Sequence, residues 1–411
     1  MRTIIVNSAK ALYWTWWRRR TRPRIANIPV DRLLQGGERL IDGARYARLV
    51  EDPSRTSRAI SEWPHTRLLA AFLKEGEAIL SPETLPRTPY WGNACQCLAH
   101  TGRYFSAKDE AGIYDVARRF LRRAFPERFP PDAENLAPHE EHHSPAGSLP
   151  IVFPVFSSPY FQILDGHHRA AIASIRGEAL IKARVQHWPV KTRLQEMVLD
   201  VVWQQDRAEL YQPAPFPEFA GWPLVRRCED RLALMTAKLA ELGVSPARHR
   251  YLDVGSSYGW FVARMSRLGY QACGVELDRF AALLARPLYG APEGCITQSE
   301  AVRFLQSSGE IHDIVSCFSV LHHFVLGKGS VDAAAFIRLL ERATGKVLFI
   351  DTGEAHECWF RESLREWTPD FIEQWLRRHT GFRQIVRLGR DKDNVPPFAD
   401  AYGRTLFACI R

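Results

Sequence analysis

The sequence predicts an α/β protein with two folded parts: an open, seven-stranded, mostly parallel sheet over residues 225–411, and a smaller α+β unit over residues 25–190. Three observations predict it. Residues 250–276 (RYLDVGSSYGWFVARMSRLGYQACGVE) read in turn as strand, glycine turn, helix, strand and acid. Short apolar runs then keep alternating with helical periodicities to the C-terminus, the pattern of a sheet wound with helices. The chain also has 411 residues, 46% hydrophobic and 25% charged, which suits two globular domains better than one.

From the N-terminus, residues 1–24 carry seven Lys or Arg (Arg2, Lys10, Arg18, Arg19, Arg20, Arg22, Arg24) and no acid, interleaved with Tyr13, Trp14, Trp16 and Trp17. Net charge is +9, so removing these seven leaves +2 for the rest. A body so nearly neutral is not built to neutralise a run of DNA phosphates. The segment is read first as an arm docked on the body. Trp with Arg also suits the headgroup layer of an anionic membrane, so peripheral membrane contact is the second reading. No apolar run reaches the roughly 18 residues a spanning helix needs. The start, MRTIIVNSAK, lacks the apolar core and cleavage site of an export signal. Eight scattered cysteines, of which only Cys95 and Cys97 are close, read as reduced thiols. The expected location is the cytoplasm or the inner face of its membrane.

Residues 25–30 form an apolar strand, and a helix is expected near Glu62–Leu73. Residues 82–100, with Tyr90-Trp91-Gly92-Asn93, read as a Pro- and aromatic-rich loop. Gly112–Phe125 is an amphipathic helix through Val116, Phe120 and Leu121. Residues 126–147 are Pro-rich. Their His139-Glu140-Glu141-His142-His143 cluster lacks H-E-x-x-H spacing, so a solvated loop is preferred to a metal site. Strands at Pro150–Phe156, Tyr160–Leu164 and Ile181–Gln186 enclose the turn Asp165-Gly166-His167-His168-Arg169 and a helix Ala170–Arg176. Backbone N–H groups, imidazoles and a guanidinium at a helix start make an anion site; the competing reading is a structural turn capped by its own aspartate.

This stretch, ILDGHHRAAIASIRGEALIKARVQHW, resembles the ParB/sulfiredoxin-like superfamily, whose hallmark is a G-x-[HR]-R turn before a helix. The resemblance is confined to Leu149–Trp188. It implies nucleotide or phosphate binding at Asp165, Gly166, His167, His168 and Arg169, with ATP or ADP and Mg as the group held, and a kinase of the free-serine type. Sulfiredoxin chemistry is excluded, because His167 stands where that branch has cysteine. No helix-turn-helix domain of the partition proteins follows.

Residues 191–224 are expected as a helix over 191–210 and a linker rich in proline (Pro213, Pro215, Pro217, Pro223). Val225–Leu242 is a long helix. After the strand, turn, helix and strand of residues 250–276, Asp278 caps a helix Arg279–Arg286 that Pro287 ends. Strands follow at Cys295–Gln298, Asp313–Val320, Lys346–Asp351, Gln384–Leu388 and Arg404–Ile410, the last two as an antiparallel pair. Helices are expected at Ala333–Ala343 and Pro369–Arg378, the latter capped by Thr368.

The chemistry concentrates where the first strand meets its helix. Glycine lets the backbone approach a ligand, the helix start offers unpaired N–H groups, and an acid at the next strand's tip can accept both hydroxyls of a ribose. A dinucleotide site wants G-x-G-x-x-G; here the pattern is D-x-G-x-x-x-G, Asp253 to Gly259, and its leading acid suits an ammonium rather than a pyrophosphate. A ligand-free βαβ unit, with Asp253 as a helix cap, is the alternative. The stretch looks like motif I of the class I S-adenosylmethionine-dependent methyltransferases, which implies a Rossmann-like sheet. That resemblance places the cofactor at Asp253, Gly255, Ser256, Ser257, Gly259 and Glu276, and the adenine amine at Ser299 and Glu300. It also turns the fourth strand's end, Ser316 to Phe324 with Cys317, toward the methyl group. In-line transfer to a hydroxyl needs a base, and His322 or His323 is the candidate; the other reading is that these histidines merely orient the loop.

The FSVLHHF segment, Asp351 and the ending YGRTLFACI look most like methyltransferase modules of bacterial cell-surface polysaccharide enzymes, some of which couple a methyltransferase to a kinase. This implies a glycan or small-molecule acceptor, lipid-linked in some cases. Two further readings stand beside it: a ParB-like nucleic-acid module fused to a DNA or RNA methyltransferase, and a non-catalytic cofactor sensor. The near-neutral body, and the lack of an N-P-P-Y or D-P-P-Y loop, count against the first.

Overall fold

The structure, a computed structural model, describes residues 23–129 and 149–411. The expected His139–His143 cluster, and the basic arm as far as Arg22, lie outside the described residues. The chain divides into two compact units. One runs to Glu196 and takes in Phe216–Gly221; the other comprises Met197–Pro215 and Trp222–Arg411.

The first unit is built from β1 (Arg24–Pro29), β2 (Leu33–Leu34), α1 (Gly43–Leu49), α2 (Pro64–Glu75), α3 (Pro89–Thr101), α4 (Glu110–Ala124), β3 (Ile151–Pro154), β4 (Phe161–Asp165), α5 (His167–Ile175) and β5 (Leu180–Val185). Its mixed sheet has the order β1-β5-β3-β4-β2. Helices α2, α3 and α4 bury Leu68, Phe72, Tyr90, Phe120 and Leu121 in one apolar cluster. Residues 89–101, expected as loop, are helix. Thr88 accepts the Trp91 N–H, Pro89 fills the first helical position and Gly102 closes the helix at φ +74°. Helix α5 begins three residues earlier than its apolar pattern, because Gly166 turns the chain at φ +98°.

Helix α6 (Arg193–Leu199) ends ten or so residues early relative to its apolar face. Beyond it the backbone runs in i→i+3 turns and goes left-handed at Gln205 and Asp206 (φ +48° and +61°), and the Gln204 amide donates to the carbonyls of Arg207 and Glu209. The second unit continues with α7 (Glu229–Glu241), β6 (Arg250–Val254), α8 (Trp260–Arg267), β7 (Gln271–Glu276), α9 (Arg279–Ala282), α10 (Ala285–Tyr289), β8 (Ile296–Gln298) and α11 (Ala301–Ser308). It ends with β9 (His312–Cys317), α12 (Leu321–Val325), α13 (Ala333–Ala343), β10 (Thr344–Ile350), α14 (Pro369–His379), β11 (Gln384–Arg390) and β12 (Thr405–Ile410). Pro287 does not end a helix; it sits in the first turn of α10, where its missing N–H costs nothing.

The sheet order is β11-β12-β10-β9-β6-β7-β8, parallel except for β12, which runs antiparallel to β10 and β11. This is the expected Rossmann-like seven-stranded sheet with its antiparallel final pair. From β6 the chain winds outward through β7 and β8, then returns to β9 on β6's other side. The reversal opens a crevice at the C-terminal ends of β6 and β9, where open α/β sheets bind ligands. Leu252, Val254, Val315, Leu348 and Ile350 are buried on these central strands, which explains their nearly unbroken apolar sequence. Strand β9 stops at Cys317, short of the expected Val320, because Ser319 turns left-handed at φ +61°.

Candidate ligand site at the strand reversal

A small cleft opens at this reversal. Asp253 and Gly255 from the β6 tip, Phe261 of α8, and Phe318 and Ser319 beyond β9 form one side; Tyr211, Gln212, Arg226, Cys228 and Arg231 form the other. Gly255 sits at φ +78°, and a Cβ there would lie 2.4 Å from Val320 Cγ2. Gly259 sits at φ +83°, where a Cβ would meet Ile296 and Ala285 at 2.5 and 2.8 Å. Both glycines are therefore required by backbone conformation and by close packing. Ser257 is also left-handed, at φ +51°, and the buried Ser256 N–H donates to Val275 O at 3.1 Å.

Glu276 is tied to the glycine turn through both carboxylate oxygens. Its Oε2 accepts the Ser257 N–H at 2.7 Å and its Oε1 the Asp278 N–H at 2.9 Å. The carboxylate is thereby fixed against the glycine turn, with a further lone pair on each oxygen for hydroxyl donors. Burial raises its pKa, and the backbone donors oppose that rise. Asp278 caps α9 as expected and also accepts the Val202 N–H at 2.7 Å.

Asp253 is buried at the cleft wall. Its Oδ1 accepts from Ser316 Oγ at 2.6 Å, and Ser316 in turn meets the Tyr251 hydroxyl at 2.6 Å. Burial pushes the Asp253 carboxyl up to about 7, against the Ser316 hydrogen bond. A pKa raised above its unfolded value stabilises the fold at low pH and loses that stabilisation as pH rises through about 7. Asp253→Asn is therefore expected to match the parent near pH 4 and to gain on it as pH rises to neutrality, as read by urea unfolding at several pH values. A variant that gains nothing would place the carboxyl's titration elsewhere.

The remaining expected cofactor residues are placed differently. Ser299 donates its hydroxyl to Glu300 O. Glu300 caps α11, accepting from Arg303 N at 2.8 Å and from Ser330 Oγ at 3.1 Å. Both lie at the β8 tip, on the same sheet edge as Glu276 but outside the walls of the cleft. The Cys317 side chain is fully buried in the apolar core, so only its backbone reaches the sheet edge.

The two histidines separate. His322 is buried, and its Nδ1 accepts the Gly353 N–H at 3.3 Å. The neutral ring therefore carries its proton on Nε2. Burial first, then Arg404 and His323, hold its pKa well below the ordinary histidine value. His323 is exposed, 4.3 Å from His322 between ring centroids.

Several residues at the cleft carry no sequence motif. Ser319 receives Arg226 Nη2 and Arg404 Nη1 on its hydroxyl oxygen, each at 2.9 Å, and donates its N–H to Asp351 at 2.7 Å. Such ties hold a strained left-handed serine in place. Arg231 bonds Asp351, Asp391 and Asp393 at 2.9, 2.5 and 2.8 Å. Gln212 donates to Ser256 O at 3.3 Å and accepts the Trp260 N–H at 3.2 Å, stapling the glycine turn. The prolines around Gln212 read as a linker and hid this role.

In the first unit, Arg169 pairs with Asp165 at 3.0 Å. His168 is sandwiched between Phe105 and Phe120, at 4.2 and 3.9 Å between centroids, and its Nε2 meets the Tyr90 hydroxyl at 3.3 Å. His167 is buried beside His65, with its Nε2 lacking a hydrogen-bond partner among the described residues. Both imidazoles are thus set among aromatic rings. Burial, then His167 and the guanidiniums of Arg123, Arg169 and Arg119, hold the His168 pKa well below its ordinary value.

No family model matches the chain, and no curated protein matches it. Among solved structures it is similar to WbdD, with 18% identity, a TM-score of 0.41, and 52% of this chain and 46% of that chain covered. It thus spans less than half the length of WbdD, which another structure describes as a bifunctional kinase-methyltransferase. It is also similar to magnesium protoporphyrin IX methyltransferase (ChlM) from Synechocystis PCC 6803 with bound SAM, at 18% identity, TM-score 0.33, and coverage of 44% and 79%. The methyltransferase domain of bacterial CtHen1-CN follows at 16% identity, TM-score 0.33, and coverage of 44% and 98%. Likenesses this distant carry no residue role across.

Among the described residues no helix is long and apolar enough to cross a membrane, and no group of three or more His, Cys, Asp or Glu is placed to hold a metal ion.

Proposed function

We propose that the second unit is an S-adenosylmethionine-dependent methyltransferase, transferring the methyl group to a hydroxyl of a surface glycan or related small molecule. One observation carries it: the left-handed Gly255 turn and the Glu276 carboxylate, joined through the Ser257 N–H, stand at the strand reversal of a seven-stranded sheet. The fixed carboxylate suits a ribose, and the buried Asp253 beside the same turn suits the ammonium end of the cofactor. The cofactor supplies an electrophilic methyl group; the chain's part is to hold it, exclude water and receive a proton from the acceptor.

His323 is the proposed base. His322 has its Nδ1 lone pair engaged by Gly353 and its proton on Nε2, so it positions the loop. Calorimetric titration with S-adenosylhomocysteine is expected to show one saturable site per chain, and folded protein that gives no heat would end the reading. With labelled S-adenosylmethionine and a panel of sugar hydroxyl acceptors, His323→Ala is expected to lose about 10²–10⁴-fold in transfer with unchanged affinity for S-adenosylhomocysteine. Equal transfer by His323→Ala would remove it as base.

For the first unit we propose a phosphate-bearing ligand, ATP or ADP with Mg, at the Gly166 turn. The gathering of Arg119, Arg123 and Arg169 near His168 supports it. Titration with ADP and magnesium tests it, and no saturable binding would leave this unit a scaffold.

A further inference from the structure

The segment Met197–Pro215 precedes the sheet in sequence yet belongs to the second unit. Its hydrogen bonds reach two places. Val202 N–H donates to Asp278 Oδ2 at 2.7 Å, beside the β7 tip. Gln204 Oε1 accepts from the Tyr258 hydroxyl at 3.1 Å, the Tyr211 N–H donates to that same hydroxyl at 3.3 Å, and Gln212 staples Ser256 and Trp260. Asp278 and the 256–260 turn flank Glu276, whose two oxygens bond Asp278 N and Ser257 N. A strap therefore crosses from one bank of the Glu276 carboxylate to the other.

Trp203 stands between these two anchors. It is 37% exposed, with the Arg207 guanidinium 4.8 Å over its ring and the Tyr211 ring edge-on at 5.0 Å. Tyr211 itself lines the cleft. Val202, in the strap, and Leu277, the residue after Glu276, are 72 and 67% exposed. Large apolar side chains left in water in the strap and next to the buried carboxylate mark a surface that something flat and apolar covers. A purine has that shape, and its ribose hydroxyls reach a carboxylate while its face lies on apolar and aromatic side chains.

We infer that Trp203 is a stacking face for the adenine ring of the cofactor, and that the Met197–Pro215 strap is the outer wall of the nucleoside pocket. This rests on the methyltransferase reading above. Base stacking on an aromatic ring is geometrically tolerant, so the ring area matters more than any polar atom.

The test uses the full chain, with the parent, Trp203→Ala and Trp203→Phe titrated with S-adenosylhomocysteine and with 5′-methylthioadenosine, which has the nucleoside but lacks the amino-acid end. The expected result is that Trp203→Ala weakens both ligands by the same factor, about tenfold or more, while Trp203→Phe stays within about threefold of the parent. A parent that binds both ligands and a Trp203→Ala that binds them equally well overturns the inference and leaves the cofactor reading standing. Loss confined to S-adenosylhomocysteine also overturns it, since the contact would then lie at the amino-acid end. A parent that binds neither ligand removes the reading beneath it. Should Trp203→Ala fail to fold by circular dichroism, Trp203→Leu, which keeps apolar bulk without the aromatic face, is measured in its place against the same outcomes.

Discussion

Gly255→Val is expected to raise the dissociation constant for S-adenosylhomocysteine by at least about 100-fold, and Glu276→Ala by a similar factor. In the first variant two effects act together. A β-branched residue resists φ +78°, at a cost of about 1–3 kcal/mol, and its Cβ falls 2.4 Å from Val320 Cγ2. Val320 follows Ser319, which lines the cleft, so relief by pushing Val320 aside moves the opposite wall. In the second, the Ser257 and Asp278 N–H groups lose their acceptor and the ribose loses its own. Hydrogen bonds to a charged group contribute about 1.5–3 kcal/mol each, so loss of two matches the stated factor. Glu276→Gln keeps one acceptor oxygen and should fall between. Titration of folded protein decides the matter: if Gly255→Val and Glu276→Ala both bind as the parent does, no adenosyl cofactor sits at this turn.

The parts of this site that were readable in advance are those with a local cause. Glycine at a left-handed turn, an acid at a strand tip and an apolar period of 3.6 all leave their mark within a few residues, so residues 250–276 show their structure directly. Helix α3 starts at Thr88-Pro89, a pair whose composition suits a loop as well as a capped helix start, so its sequence alone is ambiguous. The helix expected to continue past Leu199 gives way to successive i→i+3 turns and to a left-handed pair, Gln205 and Asp206, which the apolar periodicity does not announce. Arg226, Arg231, Ser319 and Asp393 meet across separations of about a hundred residues or more in sequence, and only the sheet's winding brings them together. The paired imidazoles of the first unit show the converse. His167 and His168 suggest an anion site by type, but ring stacking and burial decide where they lie.

Arg231→Met is expected to destabilise the second unit by about 3–5 kcal/mol, the usual penalty for stripping one partner from a buried ionic cluster. Arg231 is almost wholly buried and, among the described residues, is the one guanidinium that reaches all three of Asp351, Asp391 and Asp393. Methionine fills the volume but leaves three carboxylates without that fork of donors; Arg226 still reaches Asp393 at 3.2 Å and Asp391 at 3.5 Å, and Arg404 approaches Asp351 only to 3.9 Å. Lysine at 231 is expected to recover little, because a point charge cannot bond three separate carboxylates. The pH dependence carries a sign. In the parent, burial raises Asp391, whereas Asp393 is held below its ordinary value because the guanidiniums of Arg231 and Arg226 outweigh its burial. Stability from a depressed carboxyl persists until pH falls through its folded pKa. Without Arg231 burial dominates at Asp393 as well, so Asp391 and Asp393 both favour protonation and the variant gains relative stability as pH falls. The gap between parent and variant, read by urea unfolding, should therefore be widest at neutral pH and narrower at pH 5. A constant gap would mean that methionine costs the protein packing rather than charge balance, and a gap under about 1 kcal/mol would mean the cluster is solvated and does not hold the cleft wall. The first result would leave the cleft's electrostatics intact; the second would free the cleft wall to move, because Asp351, which Arg231 fixes, also holds the Ser319 N–H.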